Sequence, residues 1–383
     1  MEKIKDLWRK NWRQYAVWLA MVACLWVLFK LGYNREFNPP APPIPVFNPA
    51  EFTLSDGTVQ AGWVKDDGAV KAVSDAIPFK VFADTPAGKQ AGELPDRFYL
   101  WDVYKKVDAR GPPAKNQGQV GSCVSFGTNN AILRTMAAQI ALNGTNEELK
   151  DIAEEVTYGG SRVEVGKGRI RGDGSVGAWA AQFVQQYGVI SRDKHGKYDL
   201  TAYDPNRCRA WGQSGVPNDL EAVVREHPVK DITQIKTTDD LKKALAQGYG
   251  VAVCSDQGFS MQRDSRGVAQ PRGSWAHCMC IDGYHTDGGK LYFHIENSWG
   301  ANAHTGPAGW GNPSTAGFWA DGAVVQRMLA AGDTWAFSGV KGFPARESEW
   351  FVRLQIKREA DTRLAQAHFS RRFPCDSLLL LAP

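Results

Sequence analysis

Lys115-Asn116-Gln117-Gly118-Gln119-Val120-Gly121-Ser122-Cys123-Val124-Ser125-Phe126 is the stretch on which the reading of this chain turns. Phe126, Ile132, Leu133, Met136, Ala137 and Ile140 follow at helical spacing, and Asn143-Gly144 supplies a C-cap signal. Cys123 is thereby predicted in the first turn of a buried helix. Backbone N–H groups are unsatisfied there, and the helix dipole favours a thiolate. The same N–H groups, with the amide of Gln117, suit the oxyanion that forms when a thiolate attacks a carbonyl. A lone cysteine is more often a small core residue; Gln117 and Gly121-Ser122 shift this one toward a nucleophile.

A thiol nucleophile needs a base, and the base needs something to orient it. Ser274-Trp275-Ala276-His277-Cys278-Met279-Cys280-Ile281-Asp282-Gly283-Tyr284 reads as a strand carrying His277. Leu291-Tyr292-Phe293-His294-Ile295-Glu296-Asn297-Ser298-Trp299-Gly300 reads as a second strand ending in an amide. The other histidines, including His285, His294 and His304, have no such framing and read as ordinary core or surface residues.

Taken together these segments resemble papain-like cysteine peptidases, the C1 family, over about residues 94–338. Leu94 to Asp102 is similar to the opening strand of that fold. The resemblance implies an α+β, two-lobed fold, with a helical lobe carrying Cys123 and a β-rich lobe carrying His277 and Asn297. It implies Cys123 as nucleophile, His277 as base and acid, Asn297 as the group orienting the imidazole, and Gln117 as oxyanion donor. Trp299 would shield the His277–Asn297 pair. Gly172-Asp173-Gly174-Ser175 precedes a helical run, and the resemblance implies that Gly174 and Ser175 pair with substrate backbone, Gly174 foremost; a plain turn is the other reading. His277 and Asn297 lie somewhat further beyond Cys123 than the roughly 130–150 residues usual in the family, which implies modest insertions.

Four departures from the family pattern are visible, one of them Cys278, which directly follows His277 in place of a small apolar residue. Val120 and Gly172 stand where the family usually has the two halves of a disulfide, so that bridge is absent as a unit. Val124 replaces the large aromatic that commonly follows the nucleophile. Ala301 to Ala316 is long and rich in Gly, Pro and Asn, and is expected to rim the cleft.

With 43% hydrophobic and 22% charged residues, the 383-residue chain is ordinary for a globular protein. A net charge of +4 with no dense basic block speaks against nucleic-acid binding. Seven cysteines, an odd number, do not make a disulfide framework. No metal or organic cofactor is implied: His277-Cys278-Met279-Cys280 lacks zinc spacing, and on a strand Cys278 and Cys280 point away from His277.

Basic residues Lys3, Lys5, Arg9, Lys10 and Arg13 precede an uncharged run from Tyr15 to Phe29, extended to Tyr33. Residues 15–33 are expected to lie in the lipid bilayer as a signal-anchor, with the N-terminus cytoplasmic and the remainder outside. A cleaved signal peptide and secretion is the alternative, and a lipidated Cys24 a third. The expected organisation is 1–33 as cytoplasmic N-terminus and transmembrane helix, 34–93 as proline-rich linker and stalk, 94–338 as peptidase domain, and 339–383 as a helical extension and tail. No long charged helix of the kind found in inhibitory propeptides precedes Leu94, so a strand-rich stalk is expected there. The activity expected is endoproteolysis of protein or peptide substrates through a thioester. A thiol-dependent transpeptidase and an inactive binding protein with the same fold are the rivals.

Overall fold

The computed structural model describes residues 48–143 and 148–339. The expected membrane segment 15–33 lies outside the described residues, as do the proline-rich stretch up to Phe47 and the extension from Val340. Among the described residues no helix is long and apolar enough to cross a membrane.

Among the described residues eight strands form one sheet: β1 (Thr58–Gln60), β2 (Arg97–Tyr99), β3 (Ile232–Gln234), β4 (Val251–Arg263), β5 (Ala269–Asp287), β6 (Lys290–Glu296), β7 (Phe318–Asp321) and β8 (Asp333–Phe337). The main path runs β3-β8-β4-β5-β6-β7, and β1 and β2 both attach to β5. Antiparallel pairing joins the path throughout. The long β4–β5 pair shifts register beyond Ser255, so the hairpin bends away past His277.

The helices that frame the sheet and the site include α1 (Asp67–Ala76), α2 (Cys123–Asn143), α3 (Glu154–Gly160), α4 (Gly177–Gln186), α5 (Pro205–Ser214), α6 (Thr238–Ala246) and α7 (Gly322–Leu329). The α2 helix is buried nearly all round, with Val124, Phe126, Ile132, Leu133, Ala137 and Ala138 in the core. A helix buried on every side has to run through the middle of a domain, and α2 packs on β4 and β5 as well as on α3 and α4. Its Arg134 Nε donates to Asp282 Oδ2 of β5 at 2.9 Å, with both side chains almost fully buried. That pair fixes how α2 lies on the sheet, because a buried guanidinium has few alternative partners. The papain-like α+β architecture expected from the sequence is therefore the one observed.

Residues 48–93, read from the sequence as linker and strand-rich stalk, contribute a single short strand, β1, and the amphipathic helix α1 to this same body. Asp66 caps α1 by accepting from the Ala69 N–H at 2.8 Å, and Ala69 and Val73 point into the core.

Candidate active site

Backbone pairing brings the sequence-distant motifs together. Asn116 and Trp299 form an antiparallel bridge, Gln117 N donates to Ser298 O at 2.8 Å, and Gly300 N donates to Lys115 O at 2.9 Å. The Gln117 side chain is then fixed at both ends. Its Oε1 accepts from Ser298 Oγ at 2.8 Å, and its Nε2 donates to the carbonyls of Val120 and Ala61, each at 2.9 Å. Two carbonyl acceptors on one side and a hydroxyl on the other leave no doubt which end is the NH2 group.

Cys123 opens α2 and has no solvent exposure. Its Sγ accepts from the Cys278 N–H at 3.3 Å, which places the thiol against the residue after His277 on β5. His277 Nε2 lies 2.8 Å from Asn297 Oδ1, while His277 Nδ1 has no hydrogen-bond partner. Asn297 Oδ1 also accepts from the Ser298 N–H at 2.7 Å. The amide oxygen thus faces two donors, so His277 Nε2 carries the proton and Nδ1 presents a lone pair. Trp299 stacks on the imidazole, with ring centroids 4.8 Å apart and planes 23° apart, and Trp275 backs Trp299 at 4.7 Å.

Burial favours the neutral form of both side chains. Burial pushes the Cys123 thiol well up, the neighbouring Cys278 adds to this, and the N–H groups of Cys278, Val124 and Cys123 itself oppose it. Burial pulls His277 down to about 4, against a weaker opposing effect of Asn297.

A strap of the chain itself, residues 58–64, lies against the segments that carry these two groups. β1 pairs in parallel with Ser274, Trp275 and Ala276, next to His277. Ala61 N and Trp63 N both donate to Ala276 O, at 3.1 and 3.2 Å. Ala61 O fills the Gln117 donor, and on the opposite wall Ser175 N donates to Gly62 O at 2.8 Å while Val64 N donates to Ser175 O at 2.9 Å. Gly62, at φ +126°, passes so near Gly121 that a Cβ there would lie 2.2 Å from the Gly121 oxygen. The strap could not follow this course with any other residue.

Of the pair singled out for backbone contact, Ser175 offers its N–H and C=O to the strap. Gly174, at φ +114°, has its N–H on Tyr158 Oη at 2.9 Å and its C=O on the Arg162 guanidinium. Arg162 also holds the carbonyls of Gly172 and Ile170, at 2.6 and 3.1 Å, and so shapes this turn. Val120 is buried against Tyr158 and Cys208, and Cys123, Cys208, Cys254, Cys278 and Cys280 are free thiols. Cys278 packs on Gly127 of α2.

Asp282, His294 and Glu296 form the group most like a metal set among the described residues, with ligand atoms within 4.8 Å of one another. Asp282 is already engaged by Arg134 and by His294 Nδ1 at 2.7 Å, and burial, with Asp282 adding, raises Glu296 to about 7. The group is held as a buried ion-pair cluster behind Asn297, and a cation would have to compete with the guanidinium.

Sequence reasoning missed three members of the site. Ser298 aims Gln117, the strap fills the cleft, and His304 Nε2 meets Asn297 Nδ2 at 3.2 Å.

Residues 101–313 match the family model described as papain family cysteine protease, and the chain belongs to that family. Mouse (Mus musculus) cathepsin K is 25% identical over 208 residues, covering 52% of this chain and 54% of that protein. The Arabidopsis thaliana protein named "Probable cysteine protease RDL2" is 28% identical over 220 residues, covering 56% and 54%. The chain spans about half the length of these curated relatives. Among solved structures, xylellain, a cysteine protease from Xylella fastidiosa, aligns over 73% of this chain and 96% of its own at 18% identity and a TM-score of 0.48.

Proposed function

We propose that this chain is a cysteine endopeptidase whose cleft is closed by its own residues 58–64. Once the strap leaves, water reaches the cleft and the burial that keeps thiol and imidazole neutral is relieved. His277 Nδ1 takes the Cys123 proton, and the helix N-terminus favours the thiolate. Sγ attacks the peptide carbonyl carbon. The oxyanion is held by Gln117 Nε2 and by backbone N–H at the start of α2, donors already in place before the charge develops. The C–N bond breaks as His277 gives its proton to the leaving amine, leaving a thioester on Cys123. Water, deprotonated by His277, then attacks the thioester and releases the acid. Asn297 orients the imidazole and Trp299 keeps water from the His277–Asn297 bond.

One observation carries this reading: the cleft holds an extended peptide, with its carbonyl on Gln117 and the adjoining backbone on Ser175. A peptide substrate would use the same donors and acceptors. The test is a peptide-based thiol-reactive probe on the full chain carrying Gly62→Val, which displaces the strap. Labelling is expected at Cys123 and should vanish in Cys123→Ala and His277→Ala; labelling that survives in both refutes the assignment.

We further propose a tether through residues 15–33, with the peptidase domain outside the cytoplasm, on the strength of the basic flank and the uncharged run. A reporter fused after Pro383 should be active only outside; activity in the cytoplasm overturns this.

A further inference from the structure

His304 sits in the Gly- and Pro-rich loop after Trp299, and nothing in its sequence neighbourhood marks it for function. The loop is anchored by Arg263 of β4, whose guanidinium donates to the carbonyls of Gly317 and Gly306 at 2.6 Å, of Thr315 at 3.2 Å and of His304 itself at 3.3 Å. Thr305 N donates to Met261 O at 2.9 Å beside it. The His304 ring is 3% exposed and packs against Phe318 and Trp275, at 4.7 and 6.4 Å between centroids. Its Nε2 faces Asn297 Nδ2 at 3.2 Å.

The Asn297 amide could in principle sit either way round, and its orientation decides whether His277 meets an acceptor or a donor. The Ser298 N–H claims Oδ1, so Nδ2 must donate to His304, and His304 Nε2 must be unprotonated. A proton on that nitrogen would set donor against donor and favour an amide flip that presents NH2 to His277. The site guards against this. Burial, then Arg263, hold His304 down to about 3, while the Ser260 backbone opposes; His277 on β5 and His294 on β6 add smaller lowering effects.

We propose that His304 is a positioning residue for the reaction, extending the chain Cys123–His277–Asn297 by one member and locking the Asn297 amide in the orientation that accepts from His277. The inference rests on the roles proposed for those three residues.

The test uses the full chain carrying Gly62→Val. His304→Phe keeps a ring between Phe318 and Trp275 but offers no acceptor; His304→Gln restores one. His304→Phe should lower kcat at least tenfold with KM within about twofold, and His304→Gln should recover most of it. Equal kcat in the Phe variant and its parent, or a Gln variant no better than Phe, overturns the proposal. If the parent itself neither turns over peptide nor labels at Cys123, the enzyme reading fails, and imidazole nitrogen NMR on the strap-closed chain decides His304 separately. Nε2 of His304 should stay unprotonated from pH 5 to 8, and the His277 Nε2 proton should shift in His304→Phe. A proton on His304 Nε2, or an unmoved His277 signal, sinks the idea.

Discussion

Gln117 donates from Nε2 to the carbonyl of Ala61 at 2.9 Å, so the side chain proposed as oxyanion donor already holds a carbonyl of the same chain. The backbone around Ala61 is gripped from both walls, by Ala276 on one side and Ser175 on the other. The strap fits because residue 62 is glycine. Gly62→Val sets a side chain against the Gly121 carbonyl, a backbone group that cannot swing aside, at a φ unsuited to a branched residue. Alkylation of Cys123 by iodoacetamide should rise at least tenfold in this variant. An unchanged rate would mean the strap does not control access.

Acid should loosen the strap. His277 is depressed to about 4 in the closed chain, against about 6.5 for a solvated imidazole. The closed form therefore binds fewer protons than an opened form in which the ring is solvated and Cys123 keeps its proton. Its advantage is complete above about pH 6.5 and is lost as pH falls toward 4, by up to tenfold per unit. Amide exchange in residues 58–64, corrected for intrinsic chemistry, should report this slope, and His277→Phe should flatten it. His304, at about 3, adds to the same trend in global unfolding, since both rings enter the unfolded state free to protonate.

Gln117→Ala should separate access from chemistry. Removing one oxyanion donor lowers kcat by about 10²–10³. The same change deletes a bond to the strap, so alkylation of Cys123 should hold steady or quicken while turnover falls. Parallel measurement of the two rates checks the opposite signs; a joint fall would point to a disrupted α2 start instead.

How far the sequence disclosed this arrangement depends on which atoms make it. Cys123, His277, Asn297 and Gln117 stand out as candidates because the chemistry expected of them demands particular side chains in a particular order, and the structure sets Asn297 Oδ1 2.8 Å from His277 Nε2 and Gln117 Nε2 on the Val120 carbonyl just before α2. The alternation of β5 was legible as well, with Cys278 and Cys280 expected away from His277, but the packing of Cys278 on Gly127 of α2 was not. The strap was not, because Ala61 and Gly62 engage the cleft through backbone groups that every residue has. Only the glycine at 62 leaves a trace, and a lone glycine in a polar stretch reads as a turn. His304 was hidden for another reason: its loop has no period, and its meaning appears only after the Asn297 amide has been oriented.

Trp63 gives the last and most specific prediction. Its indole Nε1 donates to Asp333 Oδ2 at 2.8 Å, in a pocket where that carboxylate also accepts from the Gly177 N–H at 2.8 Å and, at Oδ1, from Trp335 Nε1 at 2.7 Å. Asp333 thus ties the strap to the N-terminus of α4 and to β8, and an anion at that helix end is well placed. Burial raises the Asp333 carboxyl while these donors pull it down, so each donor helps keep it ionised. Trp63→Phe retains most of the buried ring and deletes one bond to a charged acceptor, worth about 1.5–3 kcal/mol. The remaining donors stay with β8 and α4, so the loss falls on the strap rather than on the fold. Protease cleavage within residues 58–64 should quicken about tenfold or more, with the thermal midpoint nearly unchanged. A large drop in the midpoint with no gain in cleavage would show instead that Trp63 serves the core and not the closure.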